Sequence, residues 1–353
     1  MRVSLGRPSA RVAEVTAVIP CYNYGIYLPA AVGSVLDQPG VAARVIVVDD
    51  CSTDDSLAVA RRLAAADPRV TVIEHETNAG HIATYNDGLA RVETEYVTLV
   101  SADDLVAPGA LERATALMNA HPRVGMVYGQ PLEFSAAVPD SDRDGPAPYT
   151  WTRWTGNAWI RLAAGRGRCF ILSPEVVMRT AAMRQIGGYN PQLPKSGDLE
   201  YWLRTAAHWD VGRVNGRVQA FYRQHTANMH VTILSTMVDD YRHRLLAFKY
   251  FESDEFRAAS LDGAPLLARA RRALAREALG VALADLDAHG PSAGVEDLRA
   301  VALEISPEAA SSRRARVLAA RLDVGARYGR LRSSLRTFAE RVRWRLWAYT
   351  GVS

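Results

Sequence analysis

Two adjacent carboxylates close an apolar run at Ser101-Ala102-Asp103-Asp104, and a second pair, Asp49-Asp50, closes another. Like charges side by side after a buried strand are costly unless a cation joins them. A hard divalent ion with oxygen ligands is the natural partner, and Mg or Mn also takes phosphate oxygens. Asp103 and Asp104 are therefore candidate ligands for Mn or Mg. Asp49 and Asp50, followed by Ser52, Thr53 and Asp54, suit hydrogen bonds to a base or ribose. Both pairs also suit a plainer role, because Asp, Ser and Thr commonly cap helices. At the second pair, capping of a helix from Ser56 by Ser52 or Thr53 is compatible with ligand binding.

These residues need elements to bring them together. Over the first 130 residues, β-branched runs (Val15–Ile19, Val45–Val48, Val70–Ile73, Tyr96–Val100) alternate with segments of helical period (Leu28–Leu36, Ser56–Ala66, His81–Ala90, Leu111–Asn119). That alternation predicts an α/β fold with a mainly parallel sheet and helices on both faces. Such sheets bind ligands beyond the carboxyl ends of their strands. Pro20-Cys-Tyr-Asn23, Asp49-Asp50 and Asp103-Asp104 each follow a strand, so all converge on one edge. From Pro131 to Arg168 the pattern breaks, and the stretch, with Trp151, Trp154 and Trp159, reads as a loop-rich excursion forming part of an acceptor wall. A helix is expected over Pro174–Met183, another from Ser196 through Ala207, and a strand pair over Val211–Tyr222. From Ile233 onward the Ala-, Leu- and Arg-rich chain reads as successive helices.

Nearly half of the 353 residues are hydrophobic, enough for two domains with cores of their own. No apolar run reaches membrane-spanning length, and Arg2, Arg7 and Arg11 interrupt any signal-peptide core, which predicts a cytoplasmic protein. Three cysteines without metal-ligand spacing read as reduced thiols. From Ser311 to Ser353 there are eleven arginines, no lysine and two acids, a charge of +9; out of a net +4 this leaves −5 for the rest. With the net positive charge confined to the tail, nothing argues for nucleic acid as a partner.

The runs Val15-Thr-Ala-Val-Ile-Pro-Cys-Tyr-Asn23, Val45-Ile-Val-Val-Asp-Asp-Cys-Ser-Thr-Asp54, Asn78-Ala-Gly80, Ser101-Ala-Asp-Asp104, Gly197-Asp198-Leu-Glu-Tyr-Trp-Leu-Arg204 and Tyr222-Arg-Gln-His225 together resemble family 2 glycosyltransferases. The resemblance implies the GT-A type nucleotide-diphospho-sugar transferase fold over residues 14–230, followed by a C-terminal helical region, 231–353. It implies that Pro20, Tyr22, Asn23, Asp50, Gly80 and Asp103 line a nucleotide pocket. Asp104 and Asp103, with His225, would hold the metal, and Asp198 would be the catalytic base. Arg223, Trp154 and Glu200 are candidate contacts to the diphosphate or acceptor. Read without it, Asp198 is a helix cap, His225 a satisfied histidine and Arg223 a partner for a surface acid.

The implied reaction is metal-dependent transfer of a sugar from a nucleotide-sugar donor, UDP- or dTDP-linked, to a hydroxyl of a surface glycan, lipid-linked saccharide or glycosylated metabolite. One carboxylate suffices as base when the leaving group departs on a metal, and a single in-line displacement inverts the anomeric centre. Three departures stand out. Ser101 replaces the first acid of the DxD motif, which shifts metal contact mainly onto Asp104. Gly197 replaces an acid before the base. The QxxRW motif of processive synthases is missing, so one sugar per encounter is expected. The competing readings are an inactive nucleotide-sugar or carbohydrate binding protein, and a sugar nucleotidylyltransferase. Against the latter, no Gly-rich, basic loop follows the first strand.

In the tail, Leu331, Leu335, Phe338, Val342, Leu346 and Tyr349 share one helix face flanked by arginines. Two partners fit such a helix equally: the inner face of a membrane as a peripheral contact, or protein, including a second copy in a homodimer.

Overall fold

The computed structural model describes residues 1–9, 11–138, 148–225, 236–259 and 261–324. The tail stripe at Leu331–Tyr349 lies outside the described residues. Two compact units divide the chain: Met1–Trp159 with Phe170–Thr226, and Ile160–Cys169 with Ala227–Ser353.

The first unit is built on one ten-stranded mixed sheet. Its strands are β1 (Arg2–Leu5), β2 (Ala13–Cys21), β3 (Val41–Asp49), β4 (Val70–Glu74), β5 (Tyr96–Leu99), β6 (Leu105–Val106), β7 (Val124–Phe134), β8 (Thr150–Trp154), β9 (Val177–Arg179) and β10 (Asp210–Arg223). The order is β1-β8-β10-β7-β9-β5-β2-β3-β4, with β6 pairing β10. β5, β2, β3 and β4 are mutually parallel, as the alternation with helices α1 (Leu28–Leu36), α2 (Ser56–Ala66) and α3 (His81–Ala90) requires. The Val- and Ile-rich residues of β5, β2 and β3 are buried on both faces, because helices cover both, whereas edge strand β4 buries only Val70. α4 (Ala110–Ala120) joins this core through Leu111, Ala114 and Leu117.

Three expectations are corrected. The described residues of Pro131–Arg168 are not a loop-rich excursion. β7 runs through Phe134, β8 pairs antiparallel with both β1 and β10, and α5 (Gly156–Arg166) follows. Its three tryptophans are core residues, so the irregular polar pattern came from partners distant in sequence. The helix expected at Pro174–Met183 is a 3₁₀ turn at Ser173–Glu175, then β9, then α6 (Thr180–Ile186). Val177 and Met178 are claimed by β5 and β7, one on either side, and a run with two sheet neighbours stays extended. The strand pair over Val211–Tyr222 is one strand, β10. Gly216 at φ 76° lies where the register with β7 shifts, between Arg213 and Val218, and the chain does not reverse.

The helix opening at Ser196 is α7 (Gly197–His208). The second unit's described helices are α8 (Met237–Phe248), α9 (Asp254–Ala258), α10 (Gly263–His289), α11 (Ala293–Ile305) and α12 (Arg313–Val324). Sequence punctuation sets them. The side chains of Thr236, Ser253, Asp262, Ser292 and Ser312 accept first-turn N–H groups. Gly290, at φ 85°, ends the longest, α10. No described helix is long and apolar enough to cross a membrane.

Candidate active site

β5, β2 and β3 are parallel neighbours, so their carboxyl ends lie at one edge. Cys21 stands level with Asp49 in the ladder, and the Asp50 N–H donates to the Cys21 carbonyl at 2.9 Å. The loops after β2 and β3 are tied by Asn23. Its Oδ1 accepts the Thr53 N–H at 2.8 Å, the Thr53 hydroxyl at 3.2 Å and the Asp54 N–H at 3.3 Å; its own N–H donates to Ser52 Oγ. Asn23 (φ 58°) and Cys51 (φ 57°) are the non-glycine residues in the left-handed region among those described. Such backbone persists only where the surroundings over-determine it, and it clusters at ligand sites. α2 is not capped by Ser52 or Thr53: Asp54 Oδ1 accepts the Ser56 N–H at 2.9 Å.

Asp50 is buried, and its carboxylate is already well used. His75 Nδ1 lies 2.8 Å from Oδ1, the Ala79 N–H donates to Oδ1 at 2.8 Å, and the Gly80 N–H to Oδ2 at 2.9 Å. Burial raises its pKa, yet these bonds outweigh it and hold the carboxyl below the usual range. Asp50 thereby fixes the Asn78–Gly80 turn that starts α3, and Gly80 at φ 82° supplies a backbone only glycine adopts freely. His75 is a partner that sequence reading missed. Tyr22, 45% exposed, and the partly exposed Pro20 border the same edge.

Asp103 and Asp104 are 5% and 1% exposed. β6 follows them and pairs with β10 at Ala220 and Phe221, which brings Arg223 and His225 across. His225 Nε2 lies 2.9 Å from Asp103 Oδ2. Asp104 Oδ1 accepts the Arg223 N–H at 2.9 Å, and Arg223 Nε donates to the Asp103 carbonyl at 2.9 Å. The Arg223 guanidinium packs over Phe134 and Tyr27 at 4.4 and 4.7 Å, and Tyr27 also stacks on His225. Burial first, and the Asp103 charge second, push the Asp104 carboxyl well above its usual range.

Among the described residues no three His, Cys, Asp or Glu side chains form a metal-holding group. Asp103 and His225 nevertheless present a carboxylate oxygen and an imidazole nitrogen as neighbours. That donor pair fits a divalent ion completed by phosphate oxygens. Asp104 Oδ1 accepts the Arg223 N–H, so of the two aspartates Asp103 is the one that faces His225.

Asp198 lies in the first turn of α7. Ser173 Oγ donates to its Oδ2 at 2.8 Å. Burial raises its pKa, partly offset by Ser173, the Tyr189 hydroxyl and nearby His81. The cap position belongs to Ser196, not Asp198. Tyr85 on α3 packs edge-on against His81 and Tyr189. Burial raises its pKa, and the charges of Asp198, Asp103 and Asp104 raise it further. Tyr85 escaped sequence reading, although it stands one helical turn after His81 behind the Asn78–Gly80 run.

Trp154 and Glu200, the other expected contacts, are both buried. Trp154 is 4% exposed and stacks on Tyr128, leaving no open ring face for a sugar. Glu200 is buried and closes on Arg204 through two bonds of 2.9 and 3.0 Å; Arg204 also donates to the Ile186 and Gly188 carbonyls. The pair anchors α7. Gly197 packs closely: a Cβ there would meet the Tyr189 ring at 3.3 Å.

The sequence model of the family described as glycosyl transferase family 2 matches residues 16–171. The succinoglycan biosynthesis protein ExoO of Rhizobium meliloti is 36% identical over 103 residues, 29% of this chain and 29% of that protein. An uncharacterized glycosyltransferase of Nostoc sp. is 26% identical over 231 residues, 63% of this chain and 68% of its own. The match to ExoO thus spans less than a third of that relative. The crystal structure of S. aureus TarS 1-349 in complex with UDP-GlcNAc aligns over 84% of this chain and 92% of that one, with a TM-score of 0.55 at 19% identity, a likeness of fold.

Proposed function

We propose, on the premise that residues 16–171 are a family 2 glycosyltransferase domain, that this chain moves a sugar from a nucleotide-sugar donor to an acceptor hydroxyl with inversion, in a catalytic region spanning 14–230. The observation that carries this reading is the buried Asp103 carboxylate held 2.9 Å from His225 Nε2 beyond the carboxyl ends of the parallel strands, a donor pair suited to a metal on a diphosphate.

Asp198 is the group placed to take the acceptor proton. Ser173 orients its carboxylate, and burial raises its basicity above that of a solvated aspartate. A general base of this kind contributes roughly 10²–10⁴-fold. Asp103 and His225 would hold Mn or Mg, which when bound neutralises charge on the departing diphosphate. Asp50 and Asn23 keep the base and ribose pocket in shape by fixing the loops after β2, β3 and β4. With one base at the reacting centre, a single displacement inverts the anomeric carbon. UDP or dTDP is the nucleotide we favour. The name of ExoO, a biosynthesis protein of a polysaccharide, supports a surface-glycan acceptor.

Thermal melts with UDP, dTDP and GDP, each with and without Mn, test the donor site. A ligand at about 100 times its Kd adds roughly 2.7 kcal/mol. Asp198→Asn is expected to keep that stabilisation and to lose at least 10²-fold in turnover. Nucleotide binding without turnover in the unaltered protein would make it a binding protein instead, and no stabilisation by any diphosphate would end the reading.

A further inference from the structure

The helical unit has a cavity of about 660 Å³ that the catalytic reading does not use. It lies along α10, the 3₁₀ turn Pro307–Ser311 and the first turns of α12. Four guanidinium groups line it: Arg272 and Arg276, one turn apart on α10, and Arg313 and Arg314, which open α12. Among the described residues Glu308 is the one carboxylate in its wall, and the described lining carries a net charge of +3. The backbone N–H of Glu308, the Ser306 hydroxyl and the charges of Arg272 and Arg271 hold that carboxyl below the usual range.

Two further features narrow the ligand. Ser312 Oγ accepts the Ala315 N–H, which fixes the N-terminus of α12 at the cavity with its positive dipole end toward it. Beside the cations lies an apolar floor of Leu279, Leu283 and Val317. Like charges gathered in a concavity repel unless an anion joins them. The planar forks of several arginines suit the oxygens of a phosphate better than those of one carboxylate. Arg276 gives one N–H to the Gly165 carbonyl, out of five such donors in a guanidinium. Among the described residues no aromatic ring lines the cavity to stack on a base or sugar, which disfavours a nucleotide.

We infer that this cavity binds a phosphate group carried on a hydrocarbon chain. The arginines and the α12 N-terminus hold the phosphate, and Leu279, Leu283 and Val317 take the first methylenes. The inference stands apart from the transfer reaction and does not depend on Asp198.

The test is calorimetric titration of the full chain with octyl phosphate, inorganic phosphate and octyl glucoside. Octyl phosphate is expected to saturate one site at least tenfold more tightly than inorganic phosphate, with octyl glucoside showing no saturation. Arg272→Glu with Arg313→Glu should weaken octyl phosphate at least tenfold, and Leu283→Gln should remove its advantage over inorganic phosphate while leaving the latter bound. Should the charge reversal prevent folding, Arg272→Gln with Arg313→Gln replaces it, and the thermal midpoint reports the fold. Arg341→Glu with Arg343→Glu, in the basic tail, should change nothing. Equal affinity for octyl and inorganic phosphate would overturn the amphiphile in favour of a free anion. Unchanged binding in the α10 and α12 variants, or loss in the tail variant instead, would overturn the site.

Discussion

Neighbouring aspartates in this site have been given different work by their hydrogen bonds. Asp50 is held ionised by His75, Ala79 and Gly80, whereas Asp104 is pushed toward the neutral form by burial and by Asp103. Asp103 faces His225, and Asp104 faces a backbone N–H. Substitutions should separate the two. Asp103→Asn is expected to abolish stabilisation by diphosphate with Mn and to leave the unliganded thermal midpoint nearly unchanged. Asp104→Asn keeps an oxygen for the Arg223 N–H and removes a charge, so its midpoint should match or exceed that of the unaltered protein. Asp104→Ala leaves that N–H unpaired and should cost about 1–3 kcal/mol. Equal losses in the Asn and Ala variants would show that the Arg223 bond is not what Asp104 supplies.

Among the elements, α3 carries the most responsibility. It starts at the turn fixed by Asp50, presents His81 and Tyr85 to the site, and holds Tyr189 through Asn86, whose amide makes bonds of 2.7 and 3.0 Å to the Tyr189 backbone. Its seat on the sheet is Gly88. A Cβ there would lie 2.3 Å from a Val18 methyl and 2.9 Å from a Val48 methyl, on β2 and β3. Gly88→Ala should therefore lift the helix and cost about 1–3 kcal/mol, as overpacking does. It should also lower turnover more than the lost stability explains, because Tyr85 and the Gly80 turn move with the helix. A denaturant melt beside an activity assay at a temperature where the variant is folded checks this. Full activity per folded molecule would mean that α3 is only a support.

For the molecule as a whole, a buried acid away from the reacting groups sets a dependence of stability on pH. Glu175 accepts the Leu172 and Gly129 N–H groups and lies near buried Arg213, yet burial pushes its carboxyl up to about 8. An acid whose pKa rises on folding holds its proton more firmly in the native state. The native state is then favoured at low pH, and this contribution fades by up to about 1.4 kcal/mol per pH unit between roughly 4.5 and 8. Glu175→Gln mimics the protonated form and should flatten that part of the stability profile. Chemical denaturation at pH 5.5 and 7.5 reads the difference; an unchanged slope in the variant would place its origin elsewhere. The same glutamate braces the turn that carries Ser173 to Asp198, so fold stability and the base are linked through one side chain.

The alternation of β-branched runs with helical segments determined by itself the parallel half of the sheet and the edge where Asn23, Asp50 and Asp103 meet. That half is legible because βαβ units are local: each strand, helix and return strand is a continuous stretch whose period reports its burial. The succession of C-terminal helices is legible for the same reason. The antiparallel half is not. β8, β9 and β10 take their partners from remote parts of the chain, so Trp154 reads as a loop residue and is core, and Val177 reads as helix and is strand. Only the tertiary structure decided which carboxylate faces His225, that Tyr85 packs against Tyr189, and that arginines from two helices share one cavity. Those outcomes depend on where side chains from distant segments point once they are packed, and no local pattern carries that information.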